Sequence, residues 1–413
     1  MDDRKVARMK EKIFVSAYAC EPGLGSEIGV GWHWVLEMSK YFELWVLTRE
    51  SNRGTIEPWI AEHPDFDNIH WLYFDLPKWA RFWKKGLRGV RTYYNLWQMF
   101  TNGIVRSTMQ ENDIRLFHHL TYGNVLWKVS SYGQSQRFIW GPVGGLETIP
   151  AEYSRHYSLR SRVIESVRRW SVKMLPINRG FYCRCSRADL ILCKTEITRQ
   201  LIPSQYRHKA LLFTDVAVES VVHKQSAMTE NDDMTRFLMV GRLDAWRGFD
   251  LAIEAMAEAV KRNSNIHLTI VGKGTDGERL RKIVSKRKLE DWVSFAGAVS
   301  MNEYQQMMAK TDCVINPSLK EGAVTVSFDT LAMGKPLICL DTTGYTRYFS
   351  NDYAVVIPRR ERQRVIADMT AAMLRLTDAN VRCQLGEKAV EAGKEFTWER
   401  HGEEIARMIN EHV

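Results

Sequence analysis

The chain has 413 residues, 45% hydrophobic and 26% charged, which is too long for one ordinary core and fits two domains of about 200 residues each. That composition excludes a disordered protein, and apolar runs such as "FLMVG" and "LILC" fall far short of the ~20 residues a membrane span needs. The net charge of +9 is local: residues 78–91 hold six basic residues and no acid, and residues 155–187 hold nine with Glu165 as the single acid.

In chain order, the charged start "MDDRKVARMKEK" leads into "IFVSAYAC" without a signal-peptide apolar core. Short apolar runs then alternate with amphipathic segments, the βα pattern of a parallel sheet flanked by helices. The first set of strands is expected at "KIFVSAY", "ELWVLT", "IHWLYF", "IRLFH", "RFIWG" and "ADLILC". The second set is expected at "RFLMVG", "IHLTIVG", "WVSFAG", "CVIN", "PLICL" and "YAVVI". Between them "ESVVHKQSAMTENDDMT" (219–235) is polar, lacks periodicity and reads as a linker or surface loop. The pattern predicts an α/β protein of two Rossmann-like domains, 1–208 and 209–395, with the closing helical stretch 396–413 packing back on the first. Seven scattered cysteines suggest reduced thiols and a cytoplasmic setting, and Cys183 with Cys185 lacks the second ligand pair of a zinc site.

Three glycine-bearing loops follow strands. "ACEPGLGSEIGVGW", with Gly25, enters a helix whose free N–H groups suit an anion. "VGKGTDG" (271–277) matches G-x-G-x-x-G, but Gly297 and Ala298 stand where a dinucleotide site needs its ribose-binding acid. The N-terminal loop keeps a dehydrogenase reading open, because Glu50 follows its second strand at a workable distance. The third loop, "EGAVTVSFD", has Glu321 before a helix and Asp329 about two turns inside it, roughly 10 Å apart at 1.5 Å rise per residue. That spacing suits two grips on one extended polar ligand, with a helix N-terminus between them for a phosphate. The plainer alternative makes Glu321 a dipole partner and Asp329 a solvated acid. Arg242 at a strand end and Arg247 five residues on can neutralise a diphosphate without a metal, and no D-x-D pair sits in a plausible loop.

Taken together, "ACEPGLGSEIGVGW", "HHLTYGN", "IWGPVGGLE", "VGRLDAWRGFDLAIEA" and "PSLKEGAVTVSFDTLAMGKPLI" resemble the retaining glycosyltransferases of the GT-B fold, family 4 or group 1, of bacterial polysaccharide-biosynthesis type. The last stretch corresponds to that family's E-x7-E element. The resemblance implies a nucleotide-sugar donor, a UDP- or GDP-sugar, held by the C-terminal domain, and an acceptor held by the N-terminal one. It implies no cofactor beyond the donor substrate. Glu321 would bind hydroxyls of the transferred sugar and Asp329 the ribose. Arg242 and Arg247 would bind the diphosphate, along with Gly25 and the backbone of Gly322, Ala323 and Val324. One of His118 and His119 would lie beneath the reacting sugar, and His119 is favoured. Asp329 is one methylene shorter than the family's glutamate, and Val324 replaces a glycine many members carry. The rival readings are a transferase for a soluble acceptor and a catalytically weak sugar-nucleotide binder.

The basic, tryptophan-bearing patches carry no nucleic-acid-binding motif. In "PKWARFWKKGLRGVRTYYNLWQMF" (77–100), Trp83, Lys84, Lys85 and Arg88 suggest an interfacial helix on an anionic membrane. The expectation is a peripheral protein on the inner face of the cell membrane, extending a glycan carried on a lipid diphosphate.

Overall fold

The computed structural model describes residues 10–84, 89–129, 132–133, 135–218, 234–320, 324–341 and 347–413. Two wholly parallel sheets organise it. The first has seven strands in the order β3-β2-β1-β4-β5-β6-β7. These are β1 Lys12–Ser16, β2 Glu43–Arg49, β3 Ile69–Phe74, β4 Leu116–His119, β5 Arg137–Val143, β6 Leu190–Cys193 and β7 Ala210–Leu212. The second has six, in the order β10-β9-β8-β11-β12-β13. They are β8 Thr235–Val240, β9 Ile266–Val271, β10 Val293–Gly297, β11 Cys313–Asn316, β12 Leu337–Asp341 and β13 Ala354–Pro358. Strands buried on both faces need continuous apolar sequence, and "LFHH", "LILC" and "CVIN" are buried at every position.

The twelve expected strands form, and β7 is an addition. "ALL" is too short to show periodicity, so its pairing with β6 had no local signal. It also corrects the first domain boundary: the sheet continues through Leu212, beyond the expected break at 208. The expected linker lies outside the described residues except for Met234 and Thr235, and Thr235 already opens β8.

The helix Trp398–His412 leaves the second domain and packs on the helix Ser26–Ser39 of the first. Its Ile405, Ala406, Met408 and Ile409 join the core that holds Val30, Trp34 and Met38. The chain's outgoing and returning crossings meet: Val218 N–H donates to Phe396 O at 2.8 Å, and Trp398 N–H donates to Val218 O at 3.1 Å.

Three buried histidines tie this packing to pH. His401 lies among Trp34, Phe213 and Trp398, and burial lowers its pKa from 6.5 to about 3. Burial likewise lowers His118 to about 4 and His119 to about 3. An unfolded imidazole takes a proton near pH 6.5, whereas the folded ones do not until pH 3–4. The unfolded chain therefore binds more protons on acidification, and stability present above pH 6.5 is lost as pH falls toward 4. Between pH 6.5 and 5 each should cost about 1.4 kcal/mol per pH unit at most. Urea unfolding across that range should show the decline, and His401→Gln should make the slope shallower.

Candidate functional site at the interdomain cleft

In each sheet the order reverses once, between β1 and β4 and between β8 and β11, and loops on either side of such a reversal diverge to leave a crevice beyond the strand carboxyl ends. The two crevices face each other across one cavity of about 590 Å³. From the first domain, Glu27 follows β1, Tyr122 to Asn124 follow β4, Gly144, Gly145 and Glu147 follow β5, and Lys194 follows β6. From the second, Arg242 to Trp246 follow β8, Thr275 follows β9 and Lys320 follows β11.

Glu27 and Lys194 charge the first wall. The Glu27 carboxylate accepts the Tyr122 N–H at 2.7 Å, and burial pushes its pKa up. Lys194 forms an ion pair with Asp215. Burial opposes its charge, but Asp215 and Glu27 outweigh that and hold its pKa above the ordinary value. Glu147 fixes the loop after β5 from inside: it accepts from Gly145 N–H at 3.0 Å and from the Thr195 hydroxyl at 2.7 Å. Arg168 clamps the same loop, donating to Gly145 O at 2.7 Å and Glu147 O at 3.0 Å.

The G-x-G-x-x-G stretch has a structural use here. A Cβ at Gly272 (φ +134°) would meet Gly241 O at 1.9 Å, and one at Gly274 would meet Leu243 O at 2.3 Å. The glycines let the loop after β9 lie on the loop after β8, joined by Leu243 N–H to Lys273 O at 3.1 Å. Glu50 is exposed and paired with Arg53 at 3.3 Å, outside the cleft lining.

Of the residues expected at the site, Glu321, Gly322 and Ala323 lie outside the described residues. Arg242 lines the cleft, its guanidinium held by Asp244 with Nε to Oδ2 at 3.0 Å. Arg247 folds over the Trp246 ring at 4.6 Å and lies beside Gly241, 3.6 Å from where a Cβ would stand. Val324 is buried and extended (φ −136°) just before the helix Thr325–Ala332, a backbone shape that demands no glycine. Asp329, on that helix, accepts the Tyr304 hydroxyl at 2.5 Å. Gly25 precedes the helix Ser26–Ser39, and a Cβ there would strike Met301 Cε of the other domain at 2.6 Å.

His118 hydrogen-bonds Gly141 O at 2.7 Å and His119 the Tyr94 hydroxyl at 3.1 Å, on opposite faces of the sheet. Both are buried at the carboxyl end of β4, where strand alternation directs the pair into the two flanking layers. The expected interfacial stretch is described only in part, since residues 85–88 lie outside the described residues. Its described residues include two helices, Lys78–Arg81 and Val90–Phe100, and half-buried Trp83 packs against the first domain's core beside Gly89. Lys84 Nζ lies 4.9 Å from the Tyr93 ring centroid, while Lys85 and Arg88 are outside the described residues.

Sequence reasoning missed Lys320. Its ammonium is 7% exposed and paired with Glu165, 5% exposed, on the helix Leu159–Lys173 of the other domain. Burial and Arg168 lower its pKa to about 8 against the pull of Glu165. The signal was present: Glu165 is the one acid in a strongly basic stretch. Lys320→Met should strand a buried carboxylate and lower unfolding stability by about 3–5 kcal/mol, whereas Lys320→Met with Glu165→Leu should recover most of it by urea denaturation.

Residues 223–392 match the model of the family described as glycosyl transferases group 1. Among curated relatives, alpha-D-kanosaminyltransferase of Streptomyces kanamyceticus is 26% identical over 181 residues, 44% of this chain and 46% of that protein. D-inositol 3-phosphate glycosyltransferase of Acidothermus cellulolyticus is 27% identical over 178 residues, 41% and 39%. The chain thus spans about half the length, or less, of these two relatives. Solved structures match over the whole fold. Sucrose-phosphate synthase of Thermosynechococcus elongatus superimposes with a TM-score of 0.64 at 15% identity, covering 97% of this chain and 99% of that one. The lipopolysaccharide outer core galactosyltransferase WaaB gives 0.63 at 15% identity, covering 97% and 100%. The Anabaena protein HepE, crystallised with UDP and glucose, gives 0.59 at 13%, covering 97% and 99%. Residues 223–392 are thus similar to the group 1 glycosyl transferases, within a chain whose two-sheet architecture is the GT-B fold.

Proposed function

We propose that this protein transfers a sugar, with retention of configuration, from a nucleotide-diphosphate sugar to a glycan acceptor in cell-surface polysaccharide biosynthesis. The observation that carries the reading is the convergence of both switch-point crevices on one polar cavity, one wall of which belongs to the group 1 domain. HepE was crystallised with UDP and glucose, which favours a UDP-sugar as donor.

Arg242 and Arg247 would receive the donor diphosphate, and Arg242 would exchange its Asp244 partner for a phosphate oxygen. Glu321 would bind hydroxyls of the transferred sugar. Asp329, already fixed by Tyr304, would reach the ribose. The bond from the anomeric carbon to the phosphate oxygen breaks as the acceptor oxygen bonds on the same face. The acceptor's proton passes to the departing phosphate. Electrostatic stabilisation of that phosphate and positioning would supply the rate, without a divalent metal. A hydrolysis screen of UDP-, GDP- and ADP-sugars should find one donor turned over in EDTA. Glu321→Gln should lower that turnover about 100-fold, and Asp329→Asn should chiefly raise the donor KM. Activity that EDTA abolishes and Mn²⁺ restores would refute the metal-free mechanism.

The acceptor we propose is lipid-linked, reached from an anionic membrane surface. The helix Leu159–Lys173 supports this more strongly than residues 77–100 do. Leu159, Val163, Val167 and Trp170 recur at helical spacing and are 57–77% exposed, and Arg160, Arg162, Arg169 and Lys173 are interspersed among them. Trp79 and Phe82 add a smaller exposed pair. Parent protein should co-sediment with anionic vesicles at low salt, and Val167→Ser with Trp170→Ser should release it. Exchanging Lys84, Lys85, Arg88 and Arg91 for glutamine should weaken binding less. Vesicle binding untouched by the serine pair would remove this helix as the anchor.

A further inference from the structure

Two buried polar atoms of the cleft have no hydrogen-bond partner among the described residues: the Tyr157 hydroxyl and Oε2 of Glu165. Both residues line the cavity and are less than one-tenth exposed. Glu165 uses only Oε1, on Lys320, so its second oxygen is an acceptor awaiting a donor. Tyr157 is near enough that Asp250 and Glu165 add to burial in pushing its phenol pKa up, which leaves it a neutral O–H donor. Buried groups of this kind are costly to leave unmatched, and a ligand that supplies their partners recovers that cost.

We propose that Tyr157 and Glu165 form a saccharide subsite that binds hydroxyl groups of the acceptor. The chemistry selects a polyhydroxyl ligand. A carboxylate oxygen takes an O–H and repels a phosphate, while Lys320 and Arg168 are already engaged by protein oxygens. Ile164 and Trp246 line the same cavity and offer apolar surface to the C–H face of a sugar ring. The cavity volume, about 590 Å³, is in the range of small-ligand sites. Assignment to the acceptor rests on the transferase reading and on Glu165, which stands on a first-domain helix, while Tyr157 packs with Leu243 and Phe249 of the second domain and closes the subsite from that side. Glu165 is on the inward side of the helix whose outer side carries Val163, Val167 and Trp170. A lipid-linked saccharide lying along that helix would meet the subsite as it enters.

Saturation-transfer NMR on the full chain, with the methyl α-glycosides of glucose, galactose, mannose and N-acetylglucosamine, tests the subsite without turnover. At least one glycoside should bind the parent. Tyr157→Phe should weaken it about tenfold, equivalent to one hydrogen bond, and Glu165→Gln should weaken it as well. Because the removed hydroxyl has no partner, Tyr157→Phe should not lower the thermal midpoint. Calorimetric affinity for UDP should stay at the parent value in Tyr157→Phe. No glycoside binding, or parent-like binding by Tyr157→Phe, overturns the subsite. Equal weakening of UDP overturns its acceptor assignment. A donor screen in which nothing is hydrolysed defeats the transferase reading instead, and the glycoside result stands or falls separately.

Discussion

A parallel sheet must begin somewhere in its middle, and the point where its crossovers change direction cannot be covered by the helices on either side. That constraint places the central polar groups of the cleft. Glu27 and the Tyr122 to Asn124 turn flank the reversal at β1 and β4, while Arg242 and Lys320 flank the one at β8 and β11. The supporting contacts follow from it. Loops that diverge at a reversal need internal partners, and Glu147, Arg168 and the Gly272 to Gly274 backbone supply them.

Electrostatics then decides how the walls meet. The pairing of Lys320 with Glu165 buries two charges from different domains, which pays only when both are present. It joins a loop of the second domain to a helix of the first. The 155–187 stretch is therefore more than a basic surface: Arg168 holds the loop after β5, and Arg184 is buried, its guanidinium 5.1 Å from the Trp140 ring centroid. Only the remaining cations of that stretch and its apolar stripe face outward.

Strands carried by apolar runs, such as "LILC", were legible because burial on both faces writes itself into every residue. β7 was not, since three residues paired at a sheet edge rely on their neighbour and carry no period. Arg242 and the glycine loops were legible as strand-end features. The surroundings of the two histidines were not legible, because adjacent positions on a buried strand point to opposite faces, and sequence alone does not say that both faces are covered. Lys320 and Glu165 were invisible as a pair because they lie 155 positions apart, and only the docking of two domains brings them into contact.

The returning helix makes the second domain an insertion in the first. Chain leaves through Val218 and comes back through Phe396 to Trp398, and the two passages are hydrogen-bonded side by side. Residues 398–412 complete a hydrophobic layer that Val30, Trp34 and Met38 began. A second domain exchanged between relatives at a single junction would bring a foreign terminal helix onto the wrong first domain. Exchange that preserves this layer needs two junctions, one at each passage, so that the sequence beyond residue 397 stays with the N-terminal domain whose core it finishes.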